Sequence, residues 1–115
     1  SFEAVSAAIH SRYDESQSHG WCHTIPNAMI VTAALLYGGL DFGKTVCLAV
    51  SCAFDTDCNG ATAGSVLGMM LGAGAIPAYW RAPFEKRVRT SIPDYAVISA
   101  EEFVAKTLAF AAPAP

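Results

Sequence analysis

The sequence predicts an all-α protein folded as a compact multi-helix bundle. Three observations lead to this fold class: apolar side chains recur at helical spacing, capping residues precede most of these segments, and no strand pattern of any length is found. With 115 residues, 53% of them apolar, the chain can bury one modest core. Residues 1–112 are therefore expected to form a single all-helical domain, or the C-terminal portion of a larger one, and residues 113–115 a disordered tail.

The first two helices are indicated by their apolar spacing and by the residues before them. Residues 2–13 carry apolar side chains at helical spacing, whereas the polar stretch 11–20 has no period and predicts a loop. A strongly apolar helix is expected over residues 28–37, with Pro26 in its first turn and Thr24 as its cap. Its composition predicts burial on most sides.

Asp41 is expected to cap a third helix, and a glycine-rich fourth helix follows. In this fourth helix, glycines recur at every fourth position and form one smooth ridge that another helix can approach closely: Gly60, Gly64, Gly68 and Gly72. Residues 75–77, with the sequence Ala-Ile-Pro, are expected to stop the helix.

The last third of the chain is expected to add two more helical segments. A turn at residues 79–83 leads into a short helix whose charges form a solvated face: Glu85, Lys86, Arg87 and Arg89. Residues 91–98 are expected to be irregular, with at most a short extended piece at 95–98. Ser99 and Glu102 then form a capping box ahead of the last helix.

The charges and the cysteines restrict the class of protein. A net charge of −3, with acids and bases scattered, provides no basic face, so nucleic acid is not an expected partner. The four cysteines form no C-x-x-C pair, and at least two lie in apolar helical patterns, which predicts buried reduced thiols and a cytoplasmic protein. The chain begins at Ser1 without a signal peptide or an initiator Met, so the numbering is expected to begin inside a longer protein.

A membrane span is one interpretation of residues 58–80, which carry no charge and have the small-residue spacing of packed membrane helices. The high content of Gly and Ala and the presence of Pro77 argue against it. No association with a membrane is expected.

Acidic side chains are concentrated directly before the glycine-rich helix, at residues 55–58, which we call the metal corner. Asp55 and Asp57 lie two residues apart, and such carboxylates repel each other unless a cation, usually a hard divalent ion, lies between them. An EF-hand loop begins in the same way, but the Glu needed at its twelfth position is Val66 here. Asp57 or Asn59 is also a candidate N-cap of the following helix.

Three runs of residues carry a resemblance to a known family. They are WCHTIPNA at residues 21–28, LLYGGLDF at residues 35–42 and DTDCNGATAG at residues 55–64. On these runs the chain resembles the C-terminal part of the ADP-ribosylglycohydrolase family. Its members are all-helical proteins in which water, at a two-magnesium site, cleaves the glycosidic bond that joins ADP-ribose to a side chain.

The resemblance implies a cofactor, a substrate class and site residues. Asp55 and Asp57 match metal ligands, and Cys58 takes the place of a hydroxyl-bearing ligand. The implied cofactor is Mg²⁺, with Mn²⁺ as an alternative and two ions in a complete enzyme. The implied partner is an ADP-ribosylated protein or a small ADP-ribosyl compound. The residues expected to bind it are Trp21, His23, Asn59 and Gly60.

Two departures from the family pattern shape the functional prediction. Cys58 offers a soft thiol where magnesium prefers oxygen, and the chain has no Thr-Asp-Asp run, which provides the other ligands in the family. The general base is also expected to be missing. We therefore expect the C-terminal portion of a magnesium-dependent hydrolase, inactive in isolation, with an N-terminal half of the same protein as partner. The alternative is a non-catalytic helical module or truncated relative with at most a weak metal or ADP-ribose site.

The stretch around His23 allows other chemistry that the sequence favours less. A single histidine beside an apolar helix is more often a structural group than a substrate contact. Cys22 and His23 are neighbours in sequence, and such neighbours rarely have the geometry of a nucleophile and its base. A zinc site built from His19, Cys22 and His23 lacks a second cluster of ligands at a recognised spacing.

Overall fold

The computed structural model describes residues 1–84 and 86–111 and divides the chain into two units, Ser1–Pro77 and Ala78–Pro115. The first unit contains four α-helices: α1 (Phe2–Arg12), α2 (Thr24–Tyr37), α3 (Phe42–Ser51) and α4 (Thr56–Leu71). A 3₁₀-helix at Gly20–Cys22 precedes α2. The single domain over residues 1–112 stays a prediction, and the predicted tail at 113–115 lies outside the described residues.

Two small clusters of buried side chains form the core of the first unit. One joins α1 and α2 to the segment after α3, and consists of Ile9, Ile30, Cys52 and Phe54. The other lies where α2, α3 and α4 meet, and consists of Ala34, Ala49 and Ala63. Because alanine side chains are short, the three helices of the second cluster approach one another closely.

Side chains cap the helix starts and set where each helix begins. Asp41 begins α3 as predicted, because its Oδ1 accepts a hydrogen bond from the backbone N–H of Lys44 at 2.7 Å. The prediction of Thr24 as the cap of α2 is wrong. The cap is His23, whose Nδ1 accepts a hydrogen bond from the N–H of Ile25 at 3.3 Å, and Thr24 is the first helical residue.

α2 is less buried than its composition predicts. Its buried residues are Pro26, Ile30, Ala33 and Ala34. On another face, Ile25 is 53% exposed and Leu36 is 76% exposed, and both line an open, mainly apolar groove of about 580 Å³. The prediction of burial on most sides is therefore wrong, because α1, α3 and α4 cover only part of the helix surface.

The glycine ridge of α4 packs against α3, as the sequence predicts. A Cβ atom added at Gly60 would lie 3.0 Å from Cγ2 of Val50, and one added at Gly64 would lie 3.5 Å from Cγ2 of Val46. A Cβ added at Gly68 would lie 3.4 Å from Cδ1 of Ile76, after α4, and 3.7 Å from Cε2 of Phe42, the first residue of α3. The absence of side chains on this face of α4 is what allows the two helices to approach this closely.

Gly72 ends α4 and does not belong to the ridge. Its φ of +77° is a left-handed conformation that favours glycine, and a Cβ added there would meet no atom within 4 Å. The helix therefore stops at Leu71, and the prediction that residues 75–77 stop it is wrong. Among the described residues, no helix has both the length and the apolarity that crossing a membrane requires.

The second unit contains a small sheet that the sequence did not predict. Its elements are α5 (Ala78–Arg81), a 3₁₀-helix (Ala82–Phe84), β1 (Arg87–Arg89), β2 (Val97–Ser99) and α6 (Ala100–Ala111). The two strands are antiparallel, and Val88 pairs with Ile98, which is only 4% exposed. The predicted short helix is wrong for residues 86–89, and Glu85 lies outside the described residues. β2 overlaps part of the extended piece expected at residues 95–98.

The final helix follows its predicted cap. Ser99 Oγ accepts a hydrogen bond from the N–H of Glu102 at 3.1 Å. On the surface of α6, Lys106 lies 3.7 Å from the carboxylate of Glu102, one turn earlier. The all-α prediction is thus confirmed for the helices and corrected by one two-stranded hairpin.

Candidate metal corner

The metal corner brings three possible ligand side chains together at the start of α4. The carboxylates of Asp55 and Asp57 and the thiol of Cys58 offer ligand atoms that all lie within 4.8 Å of one another. Asp55 is partly buried, and the other two are exposed. Asp57 lies in the first helical turn, where the positive end of the helix dipole favours a carboxylate.

Asp55 is also the N-cap of α4. Its Oδ1 accepts a hydrogen bond from the N–H of Cys58 at 3.4 Å. The capping role weighed for Asp57 and Asn59 therefore belongs to Asp55 instead. A carboxylate has two oxygens, so the capping bond leaves the second oxygen of Asp55 with capacity for another partner.

A strained turn delivers Asp55 to this position. The two preceding residues, Ala53 and Phe54, both have positive φ, at 58° and 57°. For residues other than glycine this left-handed conformation costs roughly 1–2 kcal/mol each. The Phe54 ring is 7% exposed and belongs to the first core cluster, with its centroid 5.0 Å from the ring of His10. Burial of the ring offsets part of the backbone strain.

Two side chains distant in sequence hold the amides of this turn. Glu15 Oε2 accepts a hydrogen bond from the N–H of Phe54 at 2.7 Å, and Asn27 Oδ1 accepts one from the N–H of Asp55 at 3.1 Å. We call residues 53–55 with these two bonds the clamped turn. Glu15 and Asn27 are not among the predicted site residues, because nothing in the spacing of either residue indicates that it reaches the turn after α3.

Asn27 connects the metal corner to the segment before α2. Besides Asp55, its Oδ1 accepts from Asn59 Nδ2 at 2.7 Å, and its Nδ2 donates to the carbonyl oxygens of Trp21 and His23, both at 2.9 Å. All four hydrogen-bonding capacities of this amide are thus used. One side chain fixes the corner relative to two of the predicted substrate-binding residues.

The structure places the four predicted substrate-binding residues in different environments. Trp21 lies in the 3₁₀-helix and is 49% exposed. His23 caps α2 and stacks on Tyr13, with ring centroids 6.3 Å apart. Asn59 is 2% exposed and bonded to Asn27, and Gly60 faces α3. Binding of substrate by these residues stays a prediction.

The thiol of Cys58 is not a good match for magnesium. Its pKa is raised, first because the thiol hydrogen-bonds to Asp55, and then because the charges of Asp55 and Asp57 oppose a thiolate. A protonated thiol is a poor ligand, and Mg²⁺ prefers oxygen. The two carboxylates therefore fit a hard divalent ion, and the thiol does not.

The other cysteines and the histidine nearby do not extend the corner. All four cysteines are free thiols, as predicted, but only Cys52 is buried, so the prediction of burial is wrong for the rest. Cys22 Sγ donates to the carbonyl oxygen of His19 at 3.4 Å. Within residues 1–84 and 86–111, His19, Cys22 and His23 do not form a metal-ligand cluster.

The sequence from α1 to α6 matches one known protein family. The family model described as ADP-ribosylglycohydrolase matches residues 2–109, a span that includes the metal corner and reaches into both units. No curated protein and no solved structure matches the chain. The resemblance inferred from three short runs of sequence is therefore confirmed over nearly the whole chain.

Proposed function

Because this chain belongs to the ADP-ribosylglycohydrolase family, we propose that it serves in hydrolysis of a glycosidic bond to ADP-ribose, with Asp55 and Asp57 as ligands of a divalent cation. The observation that carries the proposal is the convergence of these two carboxylates within 4.8 Å at the start of α4. Two carboxylates so close together repel each other in the absence of a cation. The strained turn that brings them together supports a functional role for this arrangement.

Mg²⁺ is the proposed ion, with Mn²⁺ as an alternative and two ions in the complete site. When bound, such an ion supplies Lewis-acid stabilisation and a water of lowered pKa. The residues that would hold it are Asp55, through the oxygen not used in capping, and Asp57, which is exposed in the first turn of α4. Cys58 is expected to contribute little while its thiol is protonated.

The other ligands and the general base are proposed to come from an N-terminal half of the same protein. The 115 residues contain no Thr-Asp-Asp run, and two carboxylates supply only a minority of the roughly six ligands that Mg²⁺ requires. Glu15 also approaches the corner, and because its Oε2 accepts a hydrogen bond from the N–H of Phe54, we assign it to the turn rather than to the ion. The proposed role of this chain is therefore that of one half-site.

The proposed substrate is an ADP-ribosylated protein or a small ADP-ribosyl compound. Of the predicted binding residues, Trp21 is the best placed to stack on a nucleotide base, because about half of its surface is exposed. Its backbone is tied to the corner through Asn27. The free thiols support a reducing compartment, and a cytoplasmic location is part of the proposal.

Metal titration tests the half-site directly. Mn²⁺ or Mg²⁺ is expected to bind the chain weakly in calorimetry, and Asp57→Asn is expected to weaken that binding about tenfold, because one of two anionic ligands becomes neutral. Glu101→Gln is the matched control, since Glu101 is also an acid in the first turn of a helix, α6, and is not among the grouped ligand side chains of the corner. Equal affinity in all three proteins would overturn the assignment.

Activity tests the division of the site between two halves. The 115 residues alone are expected not to release ADP-ribose from a modified protein in magnesium buffer. Supplying an upstream half with a Thr-Asp-Asp run is expected to restore release, and only while Asp55 and Asp57 are intact. Rapid turnover by the 115 residues alone would contradict the half-site proposal, because other residues would then complete the site.

A second candidate is a non-catalytic helical module, which Cys58 favours by placing a thiol where the family has a hydroxyl ligand. Such a module keeps the helical fold and at most weak metal binding. It would show no release of ADP-ribose even with the upstream half supplied. That outcome, together with unchanged metal affinity in Asp57→Asn, would select the second candidate over the first.

A further inference from the structure

We propose that Glu15 and Asn27 are positioning residues, which hold the clamped turn and thereby set the two carboxylates of the metal corner. The inference rests on the proposed function, since it concerns how this chain orients the ligands of the proposed ion. Neither side chain belongs to the group of ligand side chains formed by Asp55, Asp57 and Cys58. Both act from elements that precede α3, through the backbone of residues 54 and 55.

The turn has few bonds of its own. In the backbone, the N–H of Ala53 donates to the carbonyl oxygen of Val50 at 3.2 Å, and the N–H of Thr56 donates to the carbonyl oxygen of Phe54 at 3.1 Å. The intervening amides of Phe54 and Asp55 are bonded to side chains from outside the turn. Consecutive left-handed residues other than glycine persist only where the surroundings impose them. In this structure, the two hydrogen bonds from Glu15 and Asn27 and the burial of the Phe54 ring hold the turn in its left-handed conformation.

The loop that carries Glu15 is itself fixed. Asp14 accepts hydrogen bonds from the N–H and the hydroxyl of Ser16, at 2.9 and 2.6 Å. A Cβ added at Gly20 would overlap the carbonyl oxygen of Asp14, so the loop returns tightly onto its own start. Glu15 is therefore presented by a braced loop, and its 2.7 Å bond to Phe54 is as short as a charge-assisted hydrogen bond.

Asn27 holds the other side of the turn from the first turn of α2. Its bonds to Asp55, Asn59 and the two carbonyls leave its amide one orientation in which all four partners are satisfied. The N–H that it fixes belongs to Asp55, whose carboxylate is both helix cap and proposed ligand. Rotation of this backbone would move the Asp55 oxygens away from Asp57.

A positioning role and a merely structural role predict different results. If Glu15 and Asn27 only stabilise the fold, their removal lowers the melting temperature but leaves the metal affinity of the folded protein unchanged. If they position the ligands, affinity falls although both carboxylates remain. Support of this kind around metal ligands is typically worth about 10- to 100-fold in affinity.

The test measures the dissociation constant for Mn²⁺, by relaxation of water protons, at a temperature where each variant is folded. Glu15→Ala and Asn27→Ala are each expected to raise it about tenfold. Glu15→Gln is expected to retain the parent affinity, because its amide oxygen accepts the same hydrogen bond. Thr32→Val is the control on α2, since the Thr32 hydroxyl donates to the carbonyl oxygen of Ala28 in the preceding turn of the same helix. Unchanged affinity in both alanine variants would overturn the inference.

Hydrogen exchange of the parent protein separates failure of the clamp from failure of the proposed function. The amides of Phe54 and Asp55 are expected to exchange as slowly as those within α4, and rapid exchange there would overturn the clamp without any variant. An absence of Mn²⁺ binding by the parent would instead overturn the proposed metal site, and with it the positioning of ligands. Where Glu15→Ala folds and binds more weakly, adding Ala53→Gly, whose glycine adopts the left-handed conformation unaided, is expected to recover the affinity. Where an alanine variant fails to fold, the exchange of the Phe54 and Asp55 amides in the parent decides the clamp.

Discussion

The two parts of α4 show opposite ways of holding a helix in place. At its start, the metal corner is polar and partly exposed and depends on a strained turn, which side chains 39 and 28 residues away in sequence hold in place. Along its length, the glycine ridge is apolar and packs against α3, the helix that immediately precedes it. The ridge gains its contacts from small residues, whereas the corner keeps its shape through specific hydrogen bonds. The ridge should therefore respond to changes in volume, and the corner to changes in polarity and pH.

The largest effect is expected from filling the ridge. Gly60→Leu places a branched side chain where a Cβ alone would lie 3.0 Å from Val50, and overpacking of this kind costs about 1–3 kcal/mol. Gly64→Leu is also expected to lower the melting temperature, by less, because Val46 is farther away, at 3.5 Å. Thermal unfolding of Ala61→Leu, an exposed position on the same helix, is the control. Equal melting of the Gly60 and Ala61 variants would show that the ridge does not pack against α3.

A smaller effect is expected from removing the cap at the corner. Asp55→Ala should lower the free energy of unfolding by about 1 kcal/mol, because the N–H of Cys58 loses its acceptor. Asp55→Asn keeps an acceptor and should retain most of the stability, but both variants should lose metal affinity. Asp41→Ala, which removes the cap of α3, should lower stability alone. Metal affinity that follows stability rather than charge would contradict the assignment of Asp55 as a ligand.

The difference between the two parts of α4 also explains what the sequence could predict. The packing of Gly60 and Gly64, the caps of α3 and α6 and the presence of four helices in the first unit follow from spacing within one segment, and these predictions are confirmed. The place of Gly72 in the ridge, the cap of α2 and the end of α4 were predicted wrongly. The hairpin of the second unit was missed because each strand has three residues, too few to show an alternation. The exposure of α2 was missed because composition does not reveal which faces the other helices cover.

At the site, the sequence predicted the acids but not what holds them. Asp55 and Asp57 are recognisable from their spacing, and they lie within the span that the family model matches. Glu15 and Asn27 reach the corner only through tertiary folding, so no local pattern identifies them. The left-handed pair at Ala53 and Phe54 is equally hidden, since neither residue type indicates a positive φ.

Relieving the strain in the turn should raise stability slightly. Ala53→Gly keeps the left-handed conformation but removes its cost of roughly 1–2 kcal/mol for a residue with a Cβ. The glycine also raises the chain entropy of the unfolded state, which lowers stability by about 0.4–1 kcal/mol. A net gain of about 0.5–1 kcal/mol in the free energy of unfolding is expected from denaturant titration. Gly39→Ala is the reverse control, because Gly39 has a φ of +66° and its Cβ would meet no atom. A loss of stability in Ala53→Gly would mean that the turn is not strained.

The smallest effect is expected from low pH, which should loosen the clamped turn at the corner before it disturbs the packing of the ridge. Hydrogen bonds from Ser16 and then Gln17 lower the pKa of Asp14 below its ordinary value. Because the pKa is lowered in the folded state, the ionised carboxylate stabilises the loop fully above the ordinary pKa of about 3.9. This stabilisation is lost as pH falls through the lowered pKa.

Because Asp14 braces the loop that carries Glu15, its protonation should loosen the bond to Phe54 while α4 stays packed on α3. Hydrogen exchange of the Phe54 amide, corrected for its intrinsic rate, should therefore accelerate below about pH 3.9, while that of Leu67 in α4 does not. Asp14→Asn should show the faster exchange already at neutral pH, and equal acceleration of both amides would indicate that acid unfolds the unit as a whole.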